Sequence, residues 1–286
     1  MSHTEPSTAA DTVPPAPVAL TVAGSDSGGG AGIQADLQAF RYFGVFGASV
    51  LTAVTAQNPR EVTDVHPVPL PTVRRQLEAV FAAFTVGAVK TGMLFSAPLV
   101  ETVSSFLAER PGIPLVVDPV MVATSGARLL EEDAVAALAE RLLPLSDLIT
   151  PNLPEAEILA GKTIEGTEDA RRIAKELHER FGCAVLLKGG HAAVRRGEDV
   201  LCTADGCRRL VSDEVPAATA HGTGCALSSA IAACLAAGAD TATAVHKAKA
   251  YVLGLLKNGR RVGPNTWAMV PPPFLPVEAI RVFSAD

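Results

Sequence analysis

Short apolar runs that stop at glycine, aspartate or lysine, each followed by a stretch of helical spacing, recur along most of this 286-residue chain. The first run is Val18-Ala19-Leu20-Thr21-Val22-Ala23, ended by Gly24, and a helix is expected from about Ala31 to Tyr42, where Ile33, Leu37 and Phe40 share a face. Val45 to Thr55 reads as a second strand, and Pro71 to Phe84 as a helix with Val73, Leu77, Val80 and Phe81 on one side. The rhythm continues with strands at Val86–Thr91, Leu115–Val117, Leu148–Thr150 and Ala184–Lys188. Helices are expected near Pro98–Ala108 and Glu132–Leu142 and after Asn152 and Thr167. Strands alternating with helices need crossover connections, so the expectation is an α/β fold with a doubly wound, mostly parallel sheet and helices on both faces.

Composition agrees with that architecture. The chain is 48% hydrophobic but only 5% aromatic, so its core must be built from Ala, Val, Leu and Ile, which suits helices packed on a sheet. One segment breaks the alternation: Val200 to Val211 reads as a hairpin turning at Asp205-Gly206. Residues 1–16, rich in Ser, Thr, Ala and Pro, are expected to form a disordered tail, and residues 17–286 one domain. The proline-rich stretch beyond about residue 263 receives no assignment.

The net charge of -6 and the lack of a Lys/Arg run exclude a nucleic-acid partner, which would require a basic stripe to neutralise phosphates. The apolar stretch Leu227–Ala237 is about half the length of a membrane span. There is no basic segment followed by an apolar stretch at the start of the chain, so a cytoplasmic protein with reduced thiols is expected. Of its five cysteines, Cys202 and Cys207 have no second Cys or His pair at zinc spacing and read as strand thiols.

In a doubly wound sheet, ligands bind beyond the carboxyl ends of the strands. Polar or glycine-bearing segments stand at those ends: Gly24-Ser25-Asp26, Gln57-Asn58, Lys90-Thr91-Gly92, Asp118-Pro119, Thr150-Pro151-Asn152 and Lys188-Gly189-Gly190. His221-Gly222-Thr223-Gly224-Cys225 opens the helix-forming run Ala226–Ala237, with Gly238 as its C-terminal cap. Glycines there can turn several N–H groups toward one point, and the helix dipole adds positive potential, so the turn suits an anion; a tight turn into a buried helix is the plainer alternative.

Cys225 lies in the first turn of that helix, a position that lowers a thiol's pKa and would let a thiolate accept a proton; a small buried hydrophobe is the alternative. The loop Gly24–Gly32 has neither G-x-G-x-x-G spacing nor a Walker Gly-Lys-Ser/Thr, leaving a substrate-covering turn or a structural one. Asp36, one turn into the next helix, either faces solvent or holds a substrate group, and solvent is the expectation from the residue alone. Asn152-Leu153-Pro154-Glu155 reads as a capping box, or as a carboxylate set beside Mg²⁺-bound water.

Seven of these segments, in order between about residues 18 and 258, resemble the hydroxymethylpyrimidine/phosphomethylpyrimidine kinases of thiamine biosynthesis, a branch of the ribokinase-like kinases. They are Ala23–Asp26 with Gly29–Leu37, Thr55–Asn58, Lys90–Leu94, Val117–Met121, Thr150–Ala156, Leu187–His191 and His221–Cys225. The resemblance implies a ribokinase-like fold and ATP-dependent phosphorylation of 4-amino-5-hydroxymethyl-2-methylpyrimidine and then of its monophosphate. It implies that Gln57 hydrogen-bonds the aminopyrimidine, with Gly24, Asp36 and Met93 lining its pocket. Asn152, Glu155 and Lys188 would serve ATP, Asp118 and Glu155 would serve Mg²⁺, and Gly222, Thr223, Gly224 and Cys225 would form the catalytic turn. A small-molecule partner and a homodimer are further implications, and a pyridoxal/pyridoxine kinase or dual-activity enzyme is the neighbouring reading. The stretch Asn258–Pro264 departs from the Gly-x-Gly-x-Gly-Pro pattern common in the family.

Overall fold

The computed structural model describes residues 15–122, 129–189, 197–213, 215, 221–264 and 266–285. The tail expected at residues 1–16 therefore lies, apart from Pro15 and Ala16, outside the described residues, as do Gly190 and His191. In chain order the elements are β1 (Val18–Asp26), α1 (Gly32–Tyr42), β2 (Phe46–Asn58), β3 (Glu61–Pro67), α2 (Leu70–Ala83), β4 (Val86–Thr91), α3 (Ala97–Ala108) and β5 (Leu115–Val117). They continue with α4 (Glu132–Ala137), β6 (Leu148–Ile149), α5 (Leu153–Ala160), α6 (Thr167–Phe181), β7 (Ala184–Leu187), β8 (Glu198–Thr203) and β9 (Gly206–Val211). The last are α7 (Thr223–Ala236), α8 (Thr241–Lys257), β10 (Arg260–Gly263), β11 (Thr266–Ala268) and β12 (Arg281–Ser284).

Ten strands form one sheet in the order β12-β9-β8-β7-β6-β5-β4-β1-β2-β3, and β10 and β11 pair separately. The pairs from β2 through β1, β4, β5 and β6 to β7 are parallel. The outer pairs β2·β3, β7·β8, β8·β9 and β9·β12 are antiparallel. Neighbouring side chains on a strand point to opposite faces, and the core divides accordingly. Leu20, Val22, Val117, Ile149, Val185 and Leu187 pack with residues of α2, α3, α5 and α6. Ala19, Val116, Leu148 and Leu186 pack on the other face with α1, α7 and α8. This is the doubly wound arrangement that the continuous apolar runs imply.

Local signals behave as their chemistry requires. Gly238 adopts φ 85° beyond α7, and the N–H groups of Gly238 and Ala239 return to the Leu235 and Cys234 carbonyls. The expected long helix over Glu132–Leu142 is α-helical only to Ala137; a π-helical segment (Leu138–Leu142) and a 3-10 turn (Leu143–Leu145) follow. Pro144 has no N–H for an α-helical bond, so the helix cannot run on through that turn.

Four readings need correction. The strand expected at Val45–Thr55 extends to Asn58 and turns back into β3, an exposed edge strand with little apolar alternation to betray it. The β8–β9 hairpin turns at Ala204-Asp205, one residue earlier than expected, because Gly206, at φ 107°, already pairs with Thr203. The proline-rich C-terminal region contributes a sheet strand, β12, antiparallel to β9. Finally, Cys202 and Cys207 face each other directly across the hairpin and are joined by a disulfide, leaving Cys183, Cys225 and Cys234 as the free thiols.

Candidate active site

The carboxyl ends of β1, β2, β4, β5, β6 and β7 and the N-terminus of α7 open onto one cleft of about 750 Å³. Its walls include Gly24, Gln57, Met93, Asp118, Asn152, Glu155, Lys188 and the whole turn from His221 to Cys225. Residues separated by more than two hundred positions converge there because parallel strands all present the same end.

Asp26 organises the first glycine loop. Its carboxylate accepts the N–H groups of Gly28 (2.8 Å), Gly30 (3.1 Å) and Ala31 (2.8 Å). His221 Nε2 lies 3.1 Å from the same carboxylate and 3.3 Å from the Gln57 amide nitrogen. Burial works to raise the Asp26 pKa, but the His221 contact and these amides outweigh it and hold the carboxyl below its ordinary value. Gly222 caps α7 at φ 83°, and a Cβ there would overlap the Gly30 carbonyl. The two glycine segments thus interlock at backbone distance, which only glycine permits.

At the pyrimidine end proposed by the resemblance, Gly24 faces Met93 closely: an added Cβ would stand 2.6 Å from the Met93 methyl. Thr55 Oγ1 donates to the Ser25 carbonyl at 2.8 Å and lies 3.2 Å from Gln57 Oε1, while the Gln57 amide nitrogen faces His221. Neighbouring Thr52 Oγ1 donates to the Met93 carbonyl at 2.7 Å.

A charged cluster lies beneath the α7 turn. Lys188 Nζ donates to Asp118 Oδ1 at 2.8 Å, and Ser228 Oγ donates to Asp118 Oδ2 at 3.2 Å. A Cβ on Gly224 would lie 3.1 Å from Lys188 Nζ, so the first turn of α7 sits directly over this pair. Burial opposes ionisation of both partners, yet Lys188 keeps Asp118 below its ordinary pKa and Asp118 keeps Lys188 above its own.

Asn152 and Glu155 form the expected capping box, each side chain bonding the other's backbone N–H at 2.8–2.9 Å. Glu155 nevertheless lines the cleft, so the two readings of this motif are not exclusive. Burial, reinforced by the Asp118 charge and opposed by Lys188, pushes the Glu155 carboxyl up to about 7.

Two expectations about single residues change. The first-turn position of Cys225 predicts a lowered pKa, whereas burial dominates and pushes the thiol up to about 11. Asp36 neither faces solvent nor lines the cleft. It is fully buried and accepts from Lys90 Nζ (3.0 and 2.9 Å), Thr21 Oγ1 (2.6 Å) and Ser229 Oγ (2.5 Å). The cleft-lining group at that point is Lys90, which the sequence placed at a strand end without giving its ammonium a role.

Sequence reasoning also missed Lys249 on α8. Its Nζ donates to Asp199 Oδ2 at 2.6 Å, and Asp199 Oδ1 accepts the Gly189 N–H at 2.8 Å, tying α8 and β8 to the residue after Lys188. Val252, Leu253 and Leu256 extend this wall of the cleft as an apolar surface. Nothing local marks Asp199 and Lys249 as partners, since they lie 50 residues apart.

The phosphomethylpyrimidine kinase family model matches residues 26–269. The chain belongs to that family. Within it, the hydroxymethylpyrimidine/phosphomethylpyrimidine kinase of Haemophilus influenzae is 46% identical over 258 residues, spanning 87% of this chain and 96% of that protein. The Rhizobium meliloti protein of the same name is 49% identical over 236 residues, spanning 82% and 88% of the two chains. Among solved structures, the pyridoxal kinase from Staphylococcus aureus in complex with AMP-PCP aligns with a TM-score of 0.85 at 30% identity, covering 95% of this chain and all of that one. The fold of this phosphomethylpyrimidine kinase family member is therefore the ribokinase-like α/β fold.

Proposed function

We propose that this chain is an ATP-dependent kinase that phosphorylates 4-amino-5-hydroxymethyl-2-methylpyrimidine and then its monophosphate. The observation that carries this reading is the convergence in one cleft of Gln57, the glycine turn of α7 and the Lys188–Asp118 pair. A side-chain amide offers a donor and an acceptor to an aminopyrimidine edge, and Met93, packed against Gly24, gives the same end of the cleft an apolar wall. The α7 amides, helped by the helix dipole and Lys188, suit a phosphoryl group in flight.

In the transfer, the acceptor oxygen bonds to the γ-phosphorus of ATP, the bond to the β–γ bridging oxygen breaks, and the acceptor proton leaves to a base. Gly222, Thr223 and Gly224 supply N–H groups toward the developing charge, and Cys225 is the candidate proton acceptor in its thiolate form, the minor one in the free chain because burial raises its pKa. The apolar face of α8 with Lys249 and Asp199 provides the remaining wall for the nucleotide. Among the described residues there is no cluster of three His, Cys, Asp or Glu side chains able to hold a metal. Asp118 and Glu155 therefore fit Mg²⁺ through its water shell rather than as a full ligand set. Bound with the nucleotide, that ion would offset phosphate charge. The reading includes a homodimer, which light scattering on the purified protein would test.

A second reading, pyridoxal phosphorylation, has support in the likeness to the Staphylococcus aureus pyridoxal kinase. One assay separates the two: ADP release with hydroxymethylpyrimidine, its monophosphate or pyridoxal as sole acceptor. Turnover with both pyrimidines is expected. Turnover with pyridoxal and neither pyrimidine would overturn the proposal.

A further inference from the structure

Ser229 stands four residues beyond Cys225 on α7, on the same face of the helix, and its Oγ donates to Asp36 Oδ1 of α1. The Asp36 carboxylate therefore lies under the turn of α7 that carries the sulfur. Lys90 reaches up from β4 to the same carboxylate, with Nζ at 3.0 and 2.9 Å from its two oxygens. Both ions are at 0% exposure, and Lys90, unlike Asp36, lines the cleft together with Cys225.

A buried ion pair is a poor source of stability, because desolvation of both charges offsets their attraction. An apolar pair would fill the same space. The position of this one, under the first turn of α7, suggests a different use.

We propose that Lys90 and Asp36 are positioning residues for the proton of Cys225, the Lys90 ammonium favouring the thiolate and the Asp36 carboxylate anchoring that ammonium while opposing its field. The inference rests on the reading of Cys225 as proton acceptor only for its catalytic meaning; the effect on the thiol stands apart from it. The charged groups around the sulfur are Asp36 from α1, Lys90 from β4, Asp118 beyond β5 and Lys188 beyond β7. Asp118 and Lys188 pair with each other on the phosphate side. The α7 dipole adds positive potential at the same place. Against these, burial and the two carboxylates hold the free thiol protonated. The balance is therefore sensitive to either member of the Lys90–Asp36 pair, with opposite sign.

The test is the pH dependence of Cys225 alkylation by iodoacetamide, followed by peptide mass spectrometry so that Cys183 and Cys234 do not contribute. Wild type, Lys90→Met, Asp36→Asn and the double variant Lys90→Met/Asp36→Leu would be compared, each checked for folding by circular dichroism. Lys90→Met should move the midpoint upward and slow alkylation at pH 8.5 by about 10-fold, one pKa unit. Asp36→Asn should move it downward and accelerate alkylation several-fold, and the double variant should fall between the singles. A loose or repacked helix pair would change access in one direction only, so shifts of the same sign, or none, overturn the inference. If one single variant fails to fold, the other and the double variant still give opposite or equal displacements to compare. Cys225→Ala with undiminished pyrimidine turnover would remove the proton-acceptor reading while leaving the titration result intact.

Discussion

Gly222 and Gly30 meet backbone against backbone, so that any side chain on Gly222 would overlap the Gly30 carbonyl oxygen. This contact sets the α7 turn against the loop held by Asp26, and with it the direction of the α7 N–H groups. Gly222 also adopts φ 83°, a conformation that costs other residues roughly 1–2 kcal/mol. Gly222→Ala should therefore separate the two loops and misplace the amides. A loss of about 10²-fold in kcat is expected, the scale of a 1 Å misplacement. Steady-state kinetics with a melting curve would check it; unchanged kcat would show that the loops tolerate separation.

Glu155 yields a pH prediction whose sign follows from its surroundings. Its folded pKa is near 7, above the ordinary 4.5, so between those values the folded chain retains a proton that the unfolded chain has lost. Stability should fall as pH rises through that window and level off above it. Glu155→Gln keeps an acceptor for the Asn152 N–H but cannot ionise. It should match wild type near pH 4 and exceed it at pH 8 by an amount on the order of 3 kcal/mol. Urea unfolding at the two pH values, in metal-free buffer, measures this directly, while kinase activity of the variant should decrease.

Gln57 contacts His221 at the edge of the cleft, and under the proposed function it meets the acceptor rather than ATP. On that proposal Gln57→Leu would leave polar edges of the pyrimidine without partners, at a cost of roughly 1–3 kcal/mol. The expected result is a 10- to 100-fold lower kcat/KM for hydroxymethylpyrimidine, with the KM for ATP within about 2-fold. A parallel rise in the ATP KM would place Gln57 elsewhere in the reaction.

The Cys202–Cys207 bond is open to simple titration. Three reactive thiols are expected in denaturant without reductant, and five after reduction. Because the bond closes a loop of only five residues in separation, its entropic contribution is modest, about 2 kcal/mol. Replacing both cysteines with serine should lower the unfolding free energy by about that amount and leave turnover unchanged. Five free thiols before reduction would show the pair to be unbonded.

Much of this protein is determined by short-range physics and is legible in its sequence. Apolar runs of strand length set β1, β4, β5, β6 and β7; Asn152 with Glu155 sets a helix start; Gly238 sets a helix end. Motifs at the strand ends indicated the cleft, because parallel strands expose the same end by construction. Tertiary structure alone decided which charges face one another. Asp36 meets Lys90 across 54 residues and Ser229 across 193, so neither its burial nor its partners could be read from α1. Cys225 makes the same point: its place at a helix start is local and predicts a low pKa, yet desolvation by distant segments reverses the sign. Hydrogen-bonding patterns within a few residues are written in the chain, whereas the removal of water from a group depends on everything that folds over it.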